Sequence, residues 1–174
     1  MKPYESININ AEKIASTIYS NIGEEMPSIL SLLKWMEESF GIRIEVFYSE
    51  NKLAEMHCSG LVHFEPTING YRIWINSKDY GFRQNFTECH EIAHIIRNMS
   101  LKYGFSTGEI YSKWGEERFC DRFAAAFLMP ADKFIHIWKT IKEPIYLKKA
   151  RLASVFKVSG QAVYHRAKEL KLII

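Results

Sequence analysis

Two histidines four residues apart, with a glutamate between them, carry the clearest chemistry in this sequence. His90, Glu91 and His94 form an H-E-x-x-H motif. On a helix, residues four apart share a face, so both imidazoles can reach one zinc ion. Glu91 would then lie beside the open position of the metal, where a carboxylate can take a proton from water. The alternative is a pair of structural histidines on an amphipathic helix.

A catalytic zinc site needs a third protein ligand, and one downstream segment holds the acidic candidates Glu116, Glu117 and Asp121. Glu117 and Asp121 form an E-x-x-x-D pattern, in which the glutamate can bind metal and the aspartate can accept a hydrogen bond from a ligand imidazole. The same predicted helix carries an aromatic stripe that should face the core: Phe119, Phe123 and Phe127. The alternative is that these acids are exposed side chains favoured by the helix dipole.

The elements that precede the motif are two predicted helices and three predicted strands. Asn10 should cap a helix over residues 11–19, and a second helix should run from about residue 26 to 40 and end at Gly41. Three short segments of alternating polarity then predict strands: residues 42–47, 60–64 and 71–75. The dipeptide Asn69-Gly70 before the last strand is a turn signal.

The rest of the chain has a helical pattern. Asn85 and Glu88 resemble a capping box, which predicts a helix start just before the motif. Helix breaks are expected at five later positions: Gly104, Gly108, Gly115, Pro130 and Pro144. Helices, a small sheet and then helices again predict an α+β fold in which a small, mostly antiparallel sheet packs against helices.

The residues around the motif resemble the ImmA/IrrE family of metallo-endopeptidases. Residues 83–94 are similar to the family pattern R-x-x-F-T-x-x-H-E-x-x-H, and residues 117–130 to a family helix reading E-x-x-A-N-x-F-A-A-x-L-L-M-P. Smaller similarities are the Gly-Ile-Arg-Ile-Glu-Val strand at 41–46 and the Ile-Trp-Ile-Asn strand at 73–76. The resemblance extends over residues 41–172.

This resemblance implies a complete gluzincin-like site. His90, His94 and Glu117 would hold one Zn²⁺ per chain, with Mn²⁺ left open as the native metal. Glu91 would be the catalytic base, and Asp121 would orient a ligand imidazole. The resemblance also implies that the substrate is a protein, a helix-turn-helix transcriptional repressor whose cleavage induces a stress or mobile-element programme.

The chain departs from the family pattern at three positions: Cys120 replaces alanine, Asp121 replaces asparagine and Ala126 replaces glutamate. Asp121 keeps an acceptor for an imidazole N–H. Cys89 and Cys120 lie next to presumed ligand positions, so both are expected to point away from the metal as small buried residues. His57 and His63 are expected to be structural or surface residues.

The composition fits an ordinary globular domain. The chain has 174 residues, of which 47% are hydrophobic and 25% charged, so intrinsic disorder is not expected. Three widely spaced cysteines do not suggest a disulfide framework. The sequence shows no signal peptide and no apolar run long enough for a membrane span. We therefore expect a cytoplasmic protein without membrane contact.

Positive charge is concentrated at the C-terminal end. Residues 139–174 contain nine Lys or Arg and two Glu, a balance of +7, whereas the whole chain has +3; the first 138 residues therefore carry −4. We accordingly divide the chain into a zinc metallopeptidase-like domain, residues 1–138, and a basic helical segment, residues 139–174. Such a segment could contact nucleic acid or an acidic partner, or form a solvated helical face.

The basic segment resembles a helix-turn-helix. One helix should end at Phe156, and Ser159 should cap the next after a turn at residues 157–158, with Ala153 and Val163 buried. DNA binding stays open but is not favoured, because a helix pair that supports the site or docks a protein is the simpler expectation.

Two functions therefore compete. The favoured one is a zinc endopeptidase with an extended substrate along the strand at residues 71–76 and with Tyr103 or Tyr111 as a candidate oxyanion partner. The other is a non-enzymatic regulator that binds DNA or protein and holds a structural metal. An intact Glu91 favours the enzyme, since a structural metal site does not need that carboxylate.

Overall fold

In the described part of this chain, helices precede and follow a small three-stranded sheet. The computed structural model describes residues 3–50, 53, 58–103 and 113–173. The elements in these ranges are α1 (Pro3–Ile22), α2 (Ile29–Phe40), β1 (Arg43–Ser49), β2 (Gly60–Glu65), β3 (Gly70–Asn76), α3 (Gly81–Tyr103), α4 (Lys113–Leu128), α5 (Ala131–Thr140), α6 (Ile145–Phe156) and α7 (Gly160–Glu169). The predicted α+β class is confirmed.

The sheet has the strand order β1-β3-β2, so β3 lies in the centre. β1 is parallel to β3 and β2 is antiparallel to it, which makes the sheet mixed rather than mostly antiparallel. Asn69 adopts the left-handed conformation (φ 47°) at the predicted turn. A side chain at Gly70 would collide with the carbonyl of Arg43, so glycine is needed where β1 and β3 begin to pair.

The central position of β3 contradicts the expectation that a substrate lies along residues 71–76. Both edges of this strand already pair with β1 and β2, so its backbone groups are used within the sheet. β2 pairs with β3 on one side only, and no other strand in the described ranges pairs with its second edge. An extended peptide can therefore add to β2 but not to β3.

Two predicted helix starts were wrong, and both helices are longer than expected. Asn10 lies inside α1, because the apolar stripe that packs this helix against the core already starts at Ile7 and continues through Ala11 and Ala15. Asn85 lies inside α3, where its side-chain amide donates to the carbonyl of Lys157 at 3.1 Å. Tertiary contacts, rather than local capping, extend these helices.

Other predicted boundaries agree with the structure. Gly41 ends α2 in the left-handed conformation (φ 61°), as predicted, whereas the helix starts after the cap residue Ser28 rather than at about residue 26. Pro130 and Pro144 directly precede α5 and α6. Gly115 is instead a buried residue within α4, so no break occurs there. None of the helices in the described ranges is both long and apolar enough to cross a bilayer.

Two hydrophobic clusters hold the molecule together. The larger one joins α1, α2, the sheet, α3 and α4, and it contains the predicted aromatic stripe, Phe119, Phe123 and Phe127. The smaller one joins the end of α4 to α5, α6 and α7, and it includes Trp138 and Leu152. Phe86 and Leu128 pack against both clusters. The metal motif of α3 therefore lies close to both parts of the molecule, while the proposed division at residue 138 stays a prediction.

The C-terminal helix pair has the predicted helix-turn-helix features. Ala153 and Val163 are buried, and the Ser159 side chain caps α7 by accepting from the Ala162 backbone N–H. Lys157 makes the turn in the left-handed conformation (φ 51°), where glycine is usual. Arg166 on α7 holds the helix pair against the rest of the fold, because its buried guanidinium donates hydrogen bonds to a carboxylate on α1.

Candidate metal centre

The two histidines of α3 converge on one point. Their Nε2 atoms lie 3.2 Å apart, and each side chain is 15% exposed. On the side of α3 away from the histidines, Ile92 and Ile95 are buried in the larger hydrophobic cluster. The apolar face therefore fixes the roll of the helix, and the four-residue spacing brings both imidazoles to the same side.

Glu117 on α4 faces the same point. Its carboxylate oxygens lie 3.2 Å from His90 Nε2 and 3.7 Å from His94 Nε2. In a tetrahedral zinc site with metal–ligand bonds of 2.0–2.1 Å, neighbouring ligand atoms are about 3.3 Å apart. The three side chains thus fit a single zinc ion without rearrangement, with their oxygen and nitrogen donors suited to that metal.

Glu91 lies next to this triangle and is 7% exposed. Burial raises the pKa of its carboxyl, and the charge of Glu117 adds to this effect, while His90 and His94 act in the opposite direction. A shielded carboxylate with a raised pKa beside a candidate metal site is suited to accept and return a proton.

Gly60, the first residue of β2, is a site residue that sequence reasoning missed. A Cβ atom at this position would lie 2.6 Å from Glu91 Oε1 and 2.6 Å from Thr87 Cγ2. Glycine therefore allows the strand to lie directly on the Glu91 carboxylate. An isolated glycine at a strand start is the signal that could have indicated this close approach.

Each histidine has a carboxylate on its other ring nitrogen. His90 Nδ1 lies 2.9 Å from Asp121 Oδ1, as predicted for Asp121, and His94 Nδ1 lies 3.1 Å from Glu116 Oε1. Burial lowers the pKa of His90, but the hydrogen bond and charge of Asp121 outweigh this, so that the net shift is upward. Glu116, weighed above as a ligand, instead faces the side of His94 away from Glu117.

The expectation that Cys120 points away from the metal was wrong. Its Sγ and one ring nitrogen each of His90 and His94 all lie within 4.8 Å of one another. The reason is that residues three apart on α4 share a face, so Cys120 follows Glu117 towards the histidines. Burial raises the pKa of the Cys120 thiol and also that of Cys89, which is buried as expected.

Several other predicted residues bear less on the site. His63 lies on β2 opposite Arg72 and is half-buried, as expected for a structural residue. His57, Tyr111 and the Tyr103 side chain lie outside the described part of the chain, so the candidate oxyanion partners stay predictions.

Two adjoining clefts lie beside the site. A cleft of about 250 Å³ is lined by Glu117, Asp121 and Trp114. A larger cleft of about 670 Å³ lies between α3, α4 and α7, with Gln161 and His165 on the α7 side. Asp121 and Glu169 line both clefts, so the two clefts adjoin between the candidate ligand Glu117 and the C-terminal helix pair.

The comparison with protein families agrees with this geometry. The model of the Peptidase_M78 family, described as the IrrE N-terminal-like domain, matches residues 38–168. The chain belongs to this family. The matched region contains the whole sheet, the proposed ligands on α3 and α4, and the C-terminal helix pair up to residue 168. The candidate site therefore lies within a peptidase-like domain.

One solved structure supports the fold assignment. It is a Mycobacterium tuberculosis transcriptional regulator with a TM-score of 0.62 and 16% sequence identity. The similarity covers 94% of this chain and 51% of that chain, so this chain spans about half the length of the regulator. No significant match to a curated protein was found. At this level of identity the similarity concerns the fold, and function must be argued from the site.

Proposed function

We propose that this protein is a zinc-dependent endopeptidase. The observation that carries the proposal is the convergence of His90, His94 and Glu117 at ligand spacing, with the shielded carboxylate of Glu91 beside them. A metal that serves only a structural purpose has no need of an unliganded, buried carboxylate next to it. Membership in a peptidase family supports the same conclusion.

In this proposal each residue has a separate task. When bound by His90, His94 and Glu117, a zinc ion would supply Lewis-acid polarisation of the scissile carbonyl and activation of the attacking water. Glu91 accepts the proton of that water and later delivers it to the leaving amine. Asp121 holds the His90 ring through its Nδ1 atom, which directs Nε2 towards the ligand position.

We place the substrate backbone along the outer edge of β2. This strand begins at Gly60, directly on the Glu91 carboxylate, and its second edge is not paired within the described ranges. A peptide that adds to this edge gains main-chain hydrogen bonds and passes the catalytic base. The strand at residues 71–76 is no longer a candidate, because it is central.

The substrate we propose is a folded protein, a helix-turn-helix repressor, as the family resemblance implies. The cleft that extends from Asp121 to Gln161 and His165 offers room for substrate residues away from the scissile bond. Because these α7 side chains line the same cleft as Phe86 on α3 and Asp121 on α4, we favour a protein segment over a DNA duplex as the occupant of this cleft.

The test is direct cleavage of a helix-turn-helix repressor, sought first by identifying the protein encoded beside this one. Zinc-loaded protein should cut it at one or a few positions, seen by intact-mass spectrometry, and a chelator should stop the reaction until zinc is restored. If neither this repressor nor an unfolded protein substrate is cut by fully zinc-loaded protein, the endopeptidase proposal is wrong.

The position of Cys120 favours one second candidate, a regulator with a structural metal. If its sulfur completed a four-ligand site together with His90, His94 and Glu117, no position would remain for water, as in closed structural zinc sites. The cobalt-substituted protein distinguishes the two. A strong sulfur-to-cobalt charge-transfer band that disappears in Cys120→Ala would favour the regulator, and its absence would favour the peptidase.

A further inference from the structure

The carboxylate of Glu116 has a role that the family resemblance did not assign. We infer that Glu116 is a positioning residue for the metal ligand His94, and that Arg97 holds Glu116 in place. This inference rests on the metal centre of the proposed function and adds a specific group to it. The relevant atoms are His94 Nδ1, which lies 3.1 Å from Glu116 Oε1, and Arg97 Nη1, which lies 3.3 Å from the same oxygen.

The arrangement follows from how α4 crosses α3. Asp121 meets His90, whereas Glu116, earlier on α4, meets His94, later on α3. The two helices are therefore antiparallel at the site, and Glu117 lies between the two contacts, facing both Nε2 atoms. A single helix thus presents one carboxylate to the metal position and one to the outer nitrogen of each histidine.

Adjacent glutamates can do these different tasks because neighbouring helical residues point about 100° apart. Glu117 faces the Nε2 atoms directly, and Glu116 is turned towards the Nδ1 side of His94. By accepting the Nδ1–H, Glu116 selects the tautomer that leaves Nε2 free to bind a metal. Without this acceptor the His94 ring can rotate or adopt the other tautomer.

The two orienting contacts differ in their exposure to solvent. The Glu116 side chain is 23% exposed and Arg97 is 24% exposed, whereas the Asp121 side chain is 64% exposed. Water can replace an exposed acceptor more easily than a shielded one. We therefore expect the Glu116 contact to contribute more to the order of the ligand set than the Asp121 contact does.

Zinc affinity measured by competition with a chromophoric chelator tests the inference. Glu116→Ala should bind zinc about 10–100-fold more weakly than the wild type, while Glu116→Gln, which keeps a carbonyl acceptor, should lose less than about tenfold. Asp121→Ala should have a smaller effect than Glu116→Ala. Glu117→Ala, which removes a proposed ligand, should lose the most, and Glu38→Ala, in an exposed ion pair with Lys34, should bind like the wild type.

A second measurement reports the tautomer of His94 directly. In the zinc-loaded wild type, the His94 Nδ1–H should give a slowly exchanging imidazole resonance in ¹H–¹⁵N spectra. In Glu116→Ala the same proton should exchange faster with water, and Glu116→Gln should restore the slow exchange. Circular dichroism of each variant shows whether the fold is retained.

The outcomes separate this inference from the proposed function. If wild-type protein binds zinc and Glu116→Ala binds it equally well, the role of Glu116 is wrong and the metal centre remains. A rapidly exchanging His94 Nδ1–H in the zinc-loaded wild type would also overturn it. If the wild type binds no zinc, the metal centre fails, and the inference fails with it.

Discussion

Two regions of this molecule are rich in charge, and they use it in opposite ways. At the candidate metal centre, three acidic side chains of α4 converge on the two histidines of α3 within hydrogen-bond or ligand distance. In the basic C-terminal segment, most cationic residues, such as Lys139, Lys142 and Arg151, are exposed on outer faces. A chemical site is therefore indicated by charged groups that converge on one point, and not by the number of charged groups.

Arg166 shows why the charge count of the C-terminal segment is misleading. Arg166 is counted in the net charge of +7 of residues 139–174. Its side chain is nevertheless fully buried and faces α1 instead of solvent. Its two Nη atoms donate to the Glu12 carboxylate at 2.9 and 2.6 Å, and its Nε donates to the Met129 carbonyl at 2.9 Å. This residue connects the helix pair to the rest of the fold.

The largest expected effect is at the metal centre, where Glu91→Gln removes the proton acceptor but keeps the size of the side chain. Because Glu91 is not a proposed ligand, zinc content should stay at the wild-type level. Substrate cleavage should slow by about 10² to 10⁴, the usual cost of losing a general base. A time course of repressor cleavage with parallel metal analysis measures this, and near-normal cleavage would exclude Glu91 as the base.

The next largest effect should come from the anchor of the helix pair. Glu12→Ala removes the bidentate carboxylate acceptor of the buried Arg166 guanidinium. This loss should lower the free energy of unfolding by about 3 kcal/mol. Urea denaturation followed by circular dichroism measures the change. The control is Glu38→Ala, at an exposed ion pair, which should cost less than about 0.5 kcal/mol. Equal losses in both variants would contradict the anchoring role.

A smaller effect at the metal centre should follow from Gly60→Ala. The new methyl group would displace the Glu91 carboxylate, since a Cβ there lies 2.6 Å from Oε1. Misplacing a catalytic group by a fraction of an ångström should reduce the cleavage rate by about tenfold, while zinc affinity stays unchanged. Unchanged cleavage would mean that β2 moves without cost. The matched substitution Gly81→Ala, at a position with open space, should leave the rate unaltered.

The smallest effect on bond cleavage is expected in the basic segment. Reversing Lys139, Lys142 and Arg151 to glutamate changes exposed charges, so the cleavage of a short peptide should change by less than about twofold. Binding of an acidic protein to this segment should weaken and become less sensitive to salt. Comparable losses on a short peptide and on the whole repressor would show that the segment supports the site directly.

Local sequence patterns correctly predicted the features that depend on interactions between residues close in sequence. The strand segments, the end of α2 at Gly41 and the Ser159 cap depend on side-chain alternation, a left-handed residue or a nearby hydroxyl. The predicted starts of α1 and α3 were wrong, because Asn10 and Asn85 lie inside these helices and do not cap them. Asn85, for example, bonds to the Lys157 carbonyl instead of capping its own helix.

The features of the candidate site also fall into those set by local sequence and those set by tertiary contacts. The sequence by itself determined the H-E-x-x-H spacing, the choice of candidate acids and the family, because helical periodicity fixes which residues of one element can act together. Only the tertiary structure decided that β3 is central, that Gly60 covers Glu91, and that Cys120 and Glu116 lie beside the histidines. These contacts depend on how α4 and β2 cross α3, and no pattern within one element encodes a crossing between two.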